Sequence, residues 1–325
     1  MCYAFSVALL CKRRSAVLAG ALVLAALMVP APARAFCRTT TVRAPADFDP
    51  TAEGACFGGG GLPLFWRNAC IGYDVHYPPS KRVSYDDASN SLSIAFTRWT
   101  GASCPTAGTG RSRVSIDVRD LGPVACDAKQ TVAGAPNQNV VIFRDDSWEY
   151  GPQVLGLTTV KFSTITGEIF GADMEINTKD MDPIAFRDPV DKTQYDFLSV
   201  VTHEAGHFLG VGHSDSKGST MYARYEKGET FQRILSPDDV DAICSIYRPD
   251  GTRLVLNDSL YAAPGCDPTP RGGFTRECED APTTGICSAG RVGGHPPAAP
   301  GWALGVALCI ALVRRGRLRP GSGLP

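Results

Sequence analysis

The amino-acid sequence predicts an α+β domain of about 190 residues within a chain of 325. Two observations lead to this fold class. Most segments with strand patterns come before the last helical segments, and one histidine-bearing helix lies between the two groups. Apolar residues make up 44 % of the chain and charged residues 20 %, which is typical of a protein that buries a core.

The predicted elements follow in chain order. Alternating residues from Leu64 to Tyr77 predict a strand. Apolar residues recurring every three or four positions predict a helix over Ser84–Thr100. Four further strands and a second helix are predicted, at Arg113–Val118, Asn139–Arg144, Thr158–Phe162, Glu168–Asn177 and Asp196–Leu209. The last helix begins at Ser236, with Pro237 in its first turn and Asp239 completing a capping box.

The N-terminal residues predict an export signal. Basic residues at positions 12 to 14 precede the apolar run Ser15–Val29, and Ala33-Arg34-Ala35 supplies the small residues of a cleavage site. We therefore assign residues 1–35 to a signal peptide that is cut after Ala35. The alternative, a retained membrane anchor, would require a longer apolar run. The glycine-rich residues 36–60 are expected to form a flexible lead-in to a domain that spans residues 61–249.

The C-terminal residues predict a linker and an attachment tail. Residues 250–300 are rich in Pro, Gly and Cys, which indicates a disulfide-braced linker. Residues 301–325 combine the apolar stretch Trp302–Val313 with an arginine cluster. As a helix this stretch would span only about 18 Å, against a hydrocarbon core of about 30 Å. Together with Cys287 the arrangement resembles the C-terminal surface-sorting tails of myxobacteria, which implies attachment to the cell envelope; a plain anchor is the alternative.

The cysteine content also fits export. The chain has 12 cysteines. Nine lie outside the signal peptide and residues 301–325, and if Cys287 belongs to the sorting tail, eight remain, enough for four disulfides in an oxidising compartment. These cysteines are Cys37, Cys56, Cys70, Cys104, Cys126, Cys244, Cys266 and Cys278. Their pairing is not readable from the sequence. A metal held by cysteines is disfavoured, because the chain has no C-x-x-C pair.

One short segment carries the chemistry. His203 and His207 are four residues apart on a predicted helix, so both imidazoles can reach one metal ion. Gly210 can end the helix in a left-handed conformation and allow the chain to return with His213 as a third ligand. Three protein ligands leave one position of a tetrahedral zinc open, which is typical of a catalytic site. Glu204 lies beside His203 and is the candidate general base.

The segment His203-Glu204-Ala205-Gly206-His207-Phe208-Leu209-Gly210-Val211-Gly212-His213 is similar to the zinc-binding motif of the metzincin metalloproteases. That resemblance implies a twisted mixed β-sheet, an active-site helix and a C-terminal helix, with Met221 in a methionine turn below the metal. Ser214, Tyr222 directly after the methionine, and Leu235–Ile243 resemble the matrixin branch in particular. The resemblance covers about Leu64 to Tyr247.

The sequence departs from the matrixin pattern at two places. No P-R-C-G-x-P-D latency segment is present, so we do not expect a cysteine-switch propeptide. Asp173, Glu175 and Asp180 lie where matrixins carry structural metal ligands, and calcium is possible there. We favour solvated strand residues over calcium ligands for these three carboxylates. A second zinc is not expected, because residues 167–180 contain no histidine.

These observations predict a secreted or surface-attached zinc endopeptidase with one catalytic zinc ion. Its expected partners are protein or peptide substrates and, through the tail, the cell envelope; we expect a monomer. A net charge of −1 gives no reason to expect nucleic acid as a partner. The main alternative is a catalytically silent metzincin-fold binding or adhesion protein. Such a protein would be expected to lack the base or a ligand, yet all four residues are present.

Overall fold

The computed structural model describes residues 36–275 except residues 46, 53, 55–56, 58–59, 128–134, 180–183 and 256–258. The signal peptide, the attachment tail and Asp180 are therefore predictions that lie outside the described residues. Within the described part of the chain, no helix combines the length and apolar character needed to cross a membrane.

The described chain contains three α-helices, one 3₁₀ turn and thirteen short strands. The strands are β1 (Phe36–Arg38), β2 (Cys70–His76), β3 (Ser103–Pro105), β4 (Arg111–Arg113), β5 (Asp117–Val124), β6 (Val140–Arg144), β7 (Gly156–Phe162), β8 (Ile169–Asn177), β9 (Ile184–Ala185), β10 (Tyr195–Asp196), β11 (Val211–Ser214), β12 (Thr252–Leu254) and β13 (Leu260–Ala262). The helices are α1 (Tyr85–Thr100), α2 (Phe197–Phe208) and α3 (Pro237–Ile246), and the 3₁₀ turn is Phe231–Arg233.

A five-stranded sheet with the order β5-β2-β6-β8-β7 forms the centre of the fold. The first four strands pair in parallel, whereas β7 runs antiparallel to β8. The sheet is thus mixed, and the predicted α+β class is confirmed. Among the described strands, β7 lies at one edge of the sheet, and helix α2 packs beside it. The edge strand and the predicted site helix are therefore neighbours.

Aromatic side chains connect the sheet to the two long helices. The Tyr73 ring on β2 lies 4.8 Å from the Phe96 ring on α1, and Phe96 meets Phe208 on α2 edge-on at 5.2 Å. Trp99 donates from its indole nitrogen to the backbone carbonyl of Thr202 at 2.7 Å. Because Trp99 is fully buried, this bond satisfies a donor that has no access to water. The helix that carries the histidines is therefore held in the core along one side.

Both ends of α2 are specified locally. Asp196 caps the first turn by accepting from the Ser199 backbone N–H at 2.9 Å, and Arg233 pairs with the same carboxylate at 2.6 Å. At the other end Gly210 has φ of +87°, and a Cβ atom there would lie 3.0 Å from the Leu64 carbonyl oxygen. Glycine is therefore required at this position by both conformation and space.

One predicted strand is interrupted in the structure. The segment Arg113–Val118 is divided between the end of β4 and the start of β5, with buried Val114 and Ile116 between them. The Val114 N–H donates to Ala102, and the Ser115 N–H donates to Tyr247. These backbone groups bond outside the sheet, so the residues between β4 and β5 are not in a strand. Their alternation of apolar and polar side chains nevertheless resembles that of a strand, which is why the sequence predicted one.

Residues on both sides of the predicted domain take part in the fold. Strand β1, which falls in the expected flexible lead-in, pairs antiparallel with β11 beside His213. Beyond residue 249, β12 and β13 form an antiparallel pair, and a disulfide joins Cys266 to Cys70 on β2. Residues 252–275, which we expected in a linker, are therefore attached to the domain. A second disulfide joins Cys104 to Cys244 on α3, and Cys37 and Cys126 are also disulfide-bonded.

Candidate metal centre and active site

The structure brings the three predicted histidine ligands together. His203 and His207 lie one turn apart on α2, and β11 presents His213 opposite them. The ring centroids of His207 and His213 are 4.6 Å apart, and those of His203 and His213 are 5.2 Å apart. One ligand atom from each of the three rings lies within 4.8 Å of the others. This separation is within the range that one small metal ion can bridge after minor adjustment.

The protein fixes which nitrogen two of these rings present. The Nδ1 atom of His203 lies 2.8 Å from the Thr220 carbonyl oxygen, and that of His207 lies 2.9 Å from the Val211 carbonyl oxygen. A carbonyl can only accept, so each Nδ1 carries the proton and each Nε2 keeps a free lone pair. Burial also lowers the pKa of all three histidines, that of His213 to about 3. The neutral imidazole is the form that binds a metal.

The donor set fits zinc. His207 Nε2 lies 3.1 Å from His213 Nε2. Two imidazole nitrogens on one tetrahedral zinc are separated by about 3.3 Å, given bonds of about 2.0–2.1 Å. Three neutral nitrogen ligands, with no fourth ligand in the group that the described residues form, leave a position free for a water molecule or a substrate, as in catalytic rather than structural zinc sites.

Glu204 lies next to this triad and is buried. Burial raises its pKa to about 7, while the Thr158 hydroxyl acts in the opposite direction by donating to Glu204 Oε2 at 2.7 Å. A cation bound to the triad would lower this pKa further and favour the carboxylate. Gly156 on β7 leaves room for the side chain, since a Cβ atom there would lie 2.8 Å from the Cγ atom of Glu204. Glu204 is thus held between the edge strand and the helix.

Met221 is fully buried and packs against the site helix at Gly206. A Cβ atom on Gly206 would lie 2.3 Å from the Met221 sulfur and 2.7 Å from the Trp99 ring, so glycine lets the methionine approach the helix. The turn that carries Met221 is bonded to α3, because Asp239 accepts from the Thr220 and Met221 N–H groups at 2.8 and 3.1 Å. The Thr220 backbone therefore connects α3 to His203, because its N–H bonds to Asp239 and its carbonyl oxygen bonds to His203 Nδ1.

The triad and Glu204 open into a cleft of about 900 Å³. Its walls include β7, the segment Ala223–Tyr225 and, from the N-terminal part of the described chain, residues 37–40, 42–44, 48, 50 and 57. Two polar contacts join this N-terminal part to the chain beyond His213: the Gly54 N–H donates to Asp215 at 2.6 Å, and Asp49 pairs with Arg224 of the cleft wall at 3.9 Å. The expected lead-in thus forms part of the cleft.

The carboxylates proposed for calcium are buried rather than solvated where they are described. Asp173 accepts from the Val140 N–H at 3.1 Å, and Glu175 forms an ion pair with Arg144 at 2.7 Å. Asp180 lies outside the described residues. In the described part of the chain, the histidine triad is the one group of three or more His, Cys, Asp or Glu side chains that could hold a metal. Calcium binding stays a prediction.

Sequence reasoning missed three residues of the site: Thr158, Gly156 and Tyr225. Thr158 and Glu204 are 46 positions apart, and no local pattern links them. Tyr225 packs edge-on against His203, with ring centroids 5.4 Å apart. The sequence pattern had indicated only Tyr222, the tyrosine directly after Met221. A periodicity argument cannot find such residues, because their position depends on tertiary packing.

Comparison with known proteins identifies related sequences. Residues 125–248 match the family model described as Matrixin. Neutrophil collagenase of Homo sapiens is 43 % identical over 75 residues, which are 23 % of this chain and 16 % of the relative. Matrilysin of Homo sapiens is 43 % identical over 51 residues, or 16 % and 19 % of the two chains. Interstitial collagenase of Oryctolagus cuniculus is 28 % identical over 185 residues, or 57 % and 33 %.

The aligned regions thus span between about one sixth and one third of these relatives' lengths. The matched family region contains β6 to β8, α2, the triad, the methionine turn and α3. Residues 125–248, which include the candidate site, are therefore similar to the Matrixin family.

Proposed function

We propose that this protein is a secreted or surface-attached zinc endopeptidase in which His203, His207 and His213 hold one zinc ion and Glu204 is the general base. The observation that carries the proposal is the buried carboxylate of Glu204 beside three neutral imidazoles that converge on one point. A structural metal site has no need for an additional buried carboxylate beside its ligands.

Zinc, when bound, makes a water molecule more acidic and polarises a carbonyl group. Glu204 accepts a proton from the attacking water as its oxygen bonds to the peptide carbonyl carbon. The C–N bond then breaks, its electron pair stays on nitrogen, and Glu204 returns the proton to that nitrogen. The products are a carboxylic acid and an amine, so water is the only co-reactant. The Thr158 hydroxyl keeps the carboxylate oriented throughout this transfer.

The substrate is expected to bind as an extended strand along β7. This strand lies at the sheet edge next to Glu204, and its free backbone groups can pair with a peptide. The edge position of β7 supports this mode of binding, whereas β8 lies inside the sheet, between β6 and β7, and cannot pair with a substrate. Extended binding would place a peptide bond of the substrate beside the triad.

Export and surface attachment are also part of the proposal. The disulfides of the described domain fit an oxidising compartment. The signal peptide, cleavage after Ala35 and the tail at residues 301–325 rest on the sequence alone. Mass spectrometry of the N-terminus of the exported protein would test the predicted cleavage site.

The central test compares the purified protein with Glu204→Gln. We expect one zinc per chain in both, and chelator-sensitive cleavage of casein or a mixed peptide library by the unsubstituted protein. Loss of the base should reduce kcat by about 10²–10⁴-fold. Zinc binding without cleavage by either protein would favour a silent binding protein. A folded protein that binds no zinc would contradict the whole proposal.

A further inference from the structure

Arg38 carries a guanidinium group that is incompletely hydrogen-bonded. Its Nη2 atom donates to the Leu64 carbonyl oxygen at 2.9 Å, whereas its Nε atom is buried and has no hydrogen-bond partner among the described residues. Its Nη1 atom makes no hydrogen bond to a described residue either, although it is not among the buried atoms. A buried donor without an acceptor destabilises the folded protein, and more so when the group is charged.

Three other arginines of the described chain that have little exposure are fully paired. Each guanidinium nitrogen of Arg253 donates to at least one oxygen atom of the chain. In Arg144 and Arg233 every guanidinium nitrogen also has an acceptor, and in both a carboxylate balances the charge. Arg38 has one acceptor for its three nitrogens and no carboxylate partner among the described residues, so the fold leaves donors of this side chain unused.

The position of Arg38 connects these unused donors to the candidate active site. Arg38 and Leu64 both line the cleft that contains the histidine triad and Glu204. Strand β1 places Arg38 there, because it pairs antiparallel with β11 and sets Arg38 opposite Val211, two positions before His213. A guanidinium group with unused donors therefore lies in the wall of the cleft where a substrate binds.

The charge of the cleft wall is unbalanced in the same sense. Among its described residues, Arg38, Arg43 and Arg224 are cationic, whereas Glu204 is the one carboxylate. A metal ion at the triad would add further positive charge. Arg43 and Arg224 are exposed, so solvent screens them, whereas Arg38 is half-buried. The cleft should therefore attract an anionic group, and Arg38 is the residue best placed to bind it tightly.

We propose that Arg38 is a specificity-determining residue that binds a carboxylate group of the peptide substrate. This inference rests on the proposed peptidase function. A guanidinium group can donate two parallel hydrogen bonds to one carboxylate and stays charged at any ordinary pH. An Asp or Glu side chain supplies such a group, since every second side chain of an extended peptide along β7 points to the same side. The free C-terminus of a peptide supplies one as well.

The test measures competition between two peptides in one sample of the zinc-loaded protein, with and without Arg38→Gln. The first pair has blocked ends and carries Glu or Gln at the position where a Glu scan raises cleavage most. The second pair has no acidic side chain and ends in a free or an amidated C-terminus. For at least one pair we expect kcat/KM to favour the carboxylate by about tenfold or more, and by less than about twofold in Arg38→Gln.

Two further variants separate this role from a structural one. Arg119→Gln removes an exposed arginine from β5, at the opposite edge of the sheet from β7, and should keep the unsubstituted ratio. Arg38→Lys keeps the charge without the planar donor pair and should give an intermediate ratio. A ratio from competition does not depend on how much of the sample is folded, because both peptides meet the same protein molecules. An Arg38 that only supports the fold through Leu64 would change the total rate and leave the ratio unchanged.

Binding separates failure of this inference from failure of the proposed function. If the unsubstituted protein cleaves neither pair, calorimetry should still show that it binds the preferred carboxylate peptide about tenfold more tightly than Arg38→Gln does. Equal affinity would overturn the inference. Cleavage with less than about twofold preference in both pairs, or a carboxylate preference that Arg38→Gln retains, would also overturn it and leave the proposed function intact.

Discussion

At the residue scale, the candidate base depends on a partner from another part of the chain. Glu204 lies on the helix with two of the ligands, but its carboxylate bonds to Thr158 on β7. The ligands and the base follow from one eleven-residue spacing, so sequence reasoning could name them as candidates. Thr158 and Tyr225 could not be named, since a threonine in a strand or a tyrosine in a loop has no spacing that marks it.

Thr158→Val tests this bond with nearly unchanged shape. We expect kcat to fall by about tenfold, because the carboxylate loses the donor that orients it. The Thr158 bond lowers the pKa of Glu204, so its loss should raise that pKa and move the acid limb of the pH–rate profile to higher pH. Thr159→Val, on the opposite face of the same strand, is the matched control. An acid limb that stays in place would contradict the role of Thr158.

At the element scale, the site is assembled from a helix, a returning strand and a turn that α3 supports. The capping box of Ser236 and Asp239 was predictable, because it is local, and the structure confirms it. The Asp239 carboxylate has a second role that the sequence did not predict. It also accepts from the backbone N–H groups of Thr220 and Met221 in the methionine turn. Most helix and strand positions were likewise predicted, whereas β1 and the break between β4 and β5 depend on distant backbone partners.

Asp239→Asn measures that second role. An amide has one acceptor oxygen instead of two and turns its N–H₂ towards donors, so buried N–H groups of the turn lose their acceptor. We expect the free energy of unfolding of the zinc-free protein to fall by about 2–4 kcal/mol in urea titrations. Zinc affinity should fall as well, since Thr220 orients His203.

The matched control is Asp241→Asn, which changes an exposed carboxylate on the same helix. It should alter stability by less than about 0.5 kcal/mol. Equal stability of the two variants would show that the methionine turn does not depend on α3.

At the scale of the whole molecule, the folded unit includes the described residues after α3, which are 247–255 and 259–275. The Cys70–Cys266 disulfide crosses 196 positions, and the Arg253 side chain is fully buried, donating to the Trp66 carbonyl oxygen at 3.1 Å. Composition predicted a linker there, because residues 250–300 are rich in Pro, Gly and Cys. Amino-acid composition cannot predict a disulfide pairing or the burial of one arginine. The predicted linker therefore differs from the attached segment that the structure shows.

Replacing both Cys70 and Cys266 by alanine should reduce the free energy of unfolding by about 2–5 kcal/mol, since the unfolded chain gains freedom. Residues 259–275 should also become more susceptible to limited proteolysis, whereas zinc content should not change. Urea midpoints and protease digestion of the oxidised proteins provide the measurements. An unchanged midpoint together with an unchanged digestion pattern would mean that non-covalent contacts alone hold this segment.

The attachment of residues 252–275 has a geometric consequence for a protein fixed to a surface. If residues 301–325 anchor the chain, no more than residues 276–300 can separate the attached part of the chain from the anchor. The greatest length of such a tether is then about 85 Å, instead of about 170 Å for a tether that starts at residue 250, at about 3.4 Å per residue. A tether of half the length keeps the cleft within a thinner layer next to the cell envelope. Targets bound to that surface would meet the cleft at a raised effective concentration, and distant ones would have to diffuse to it.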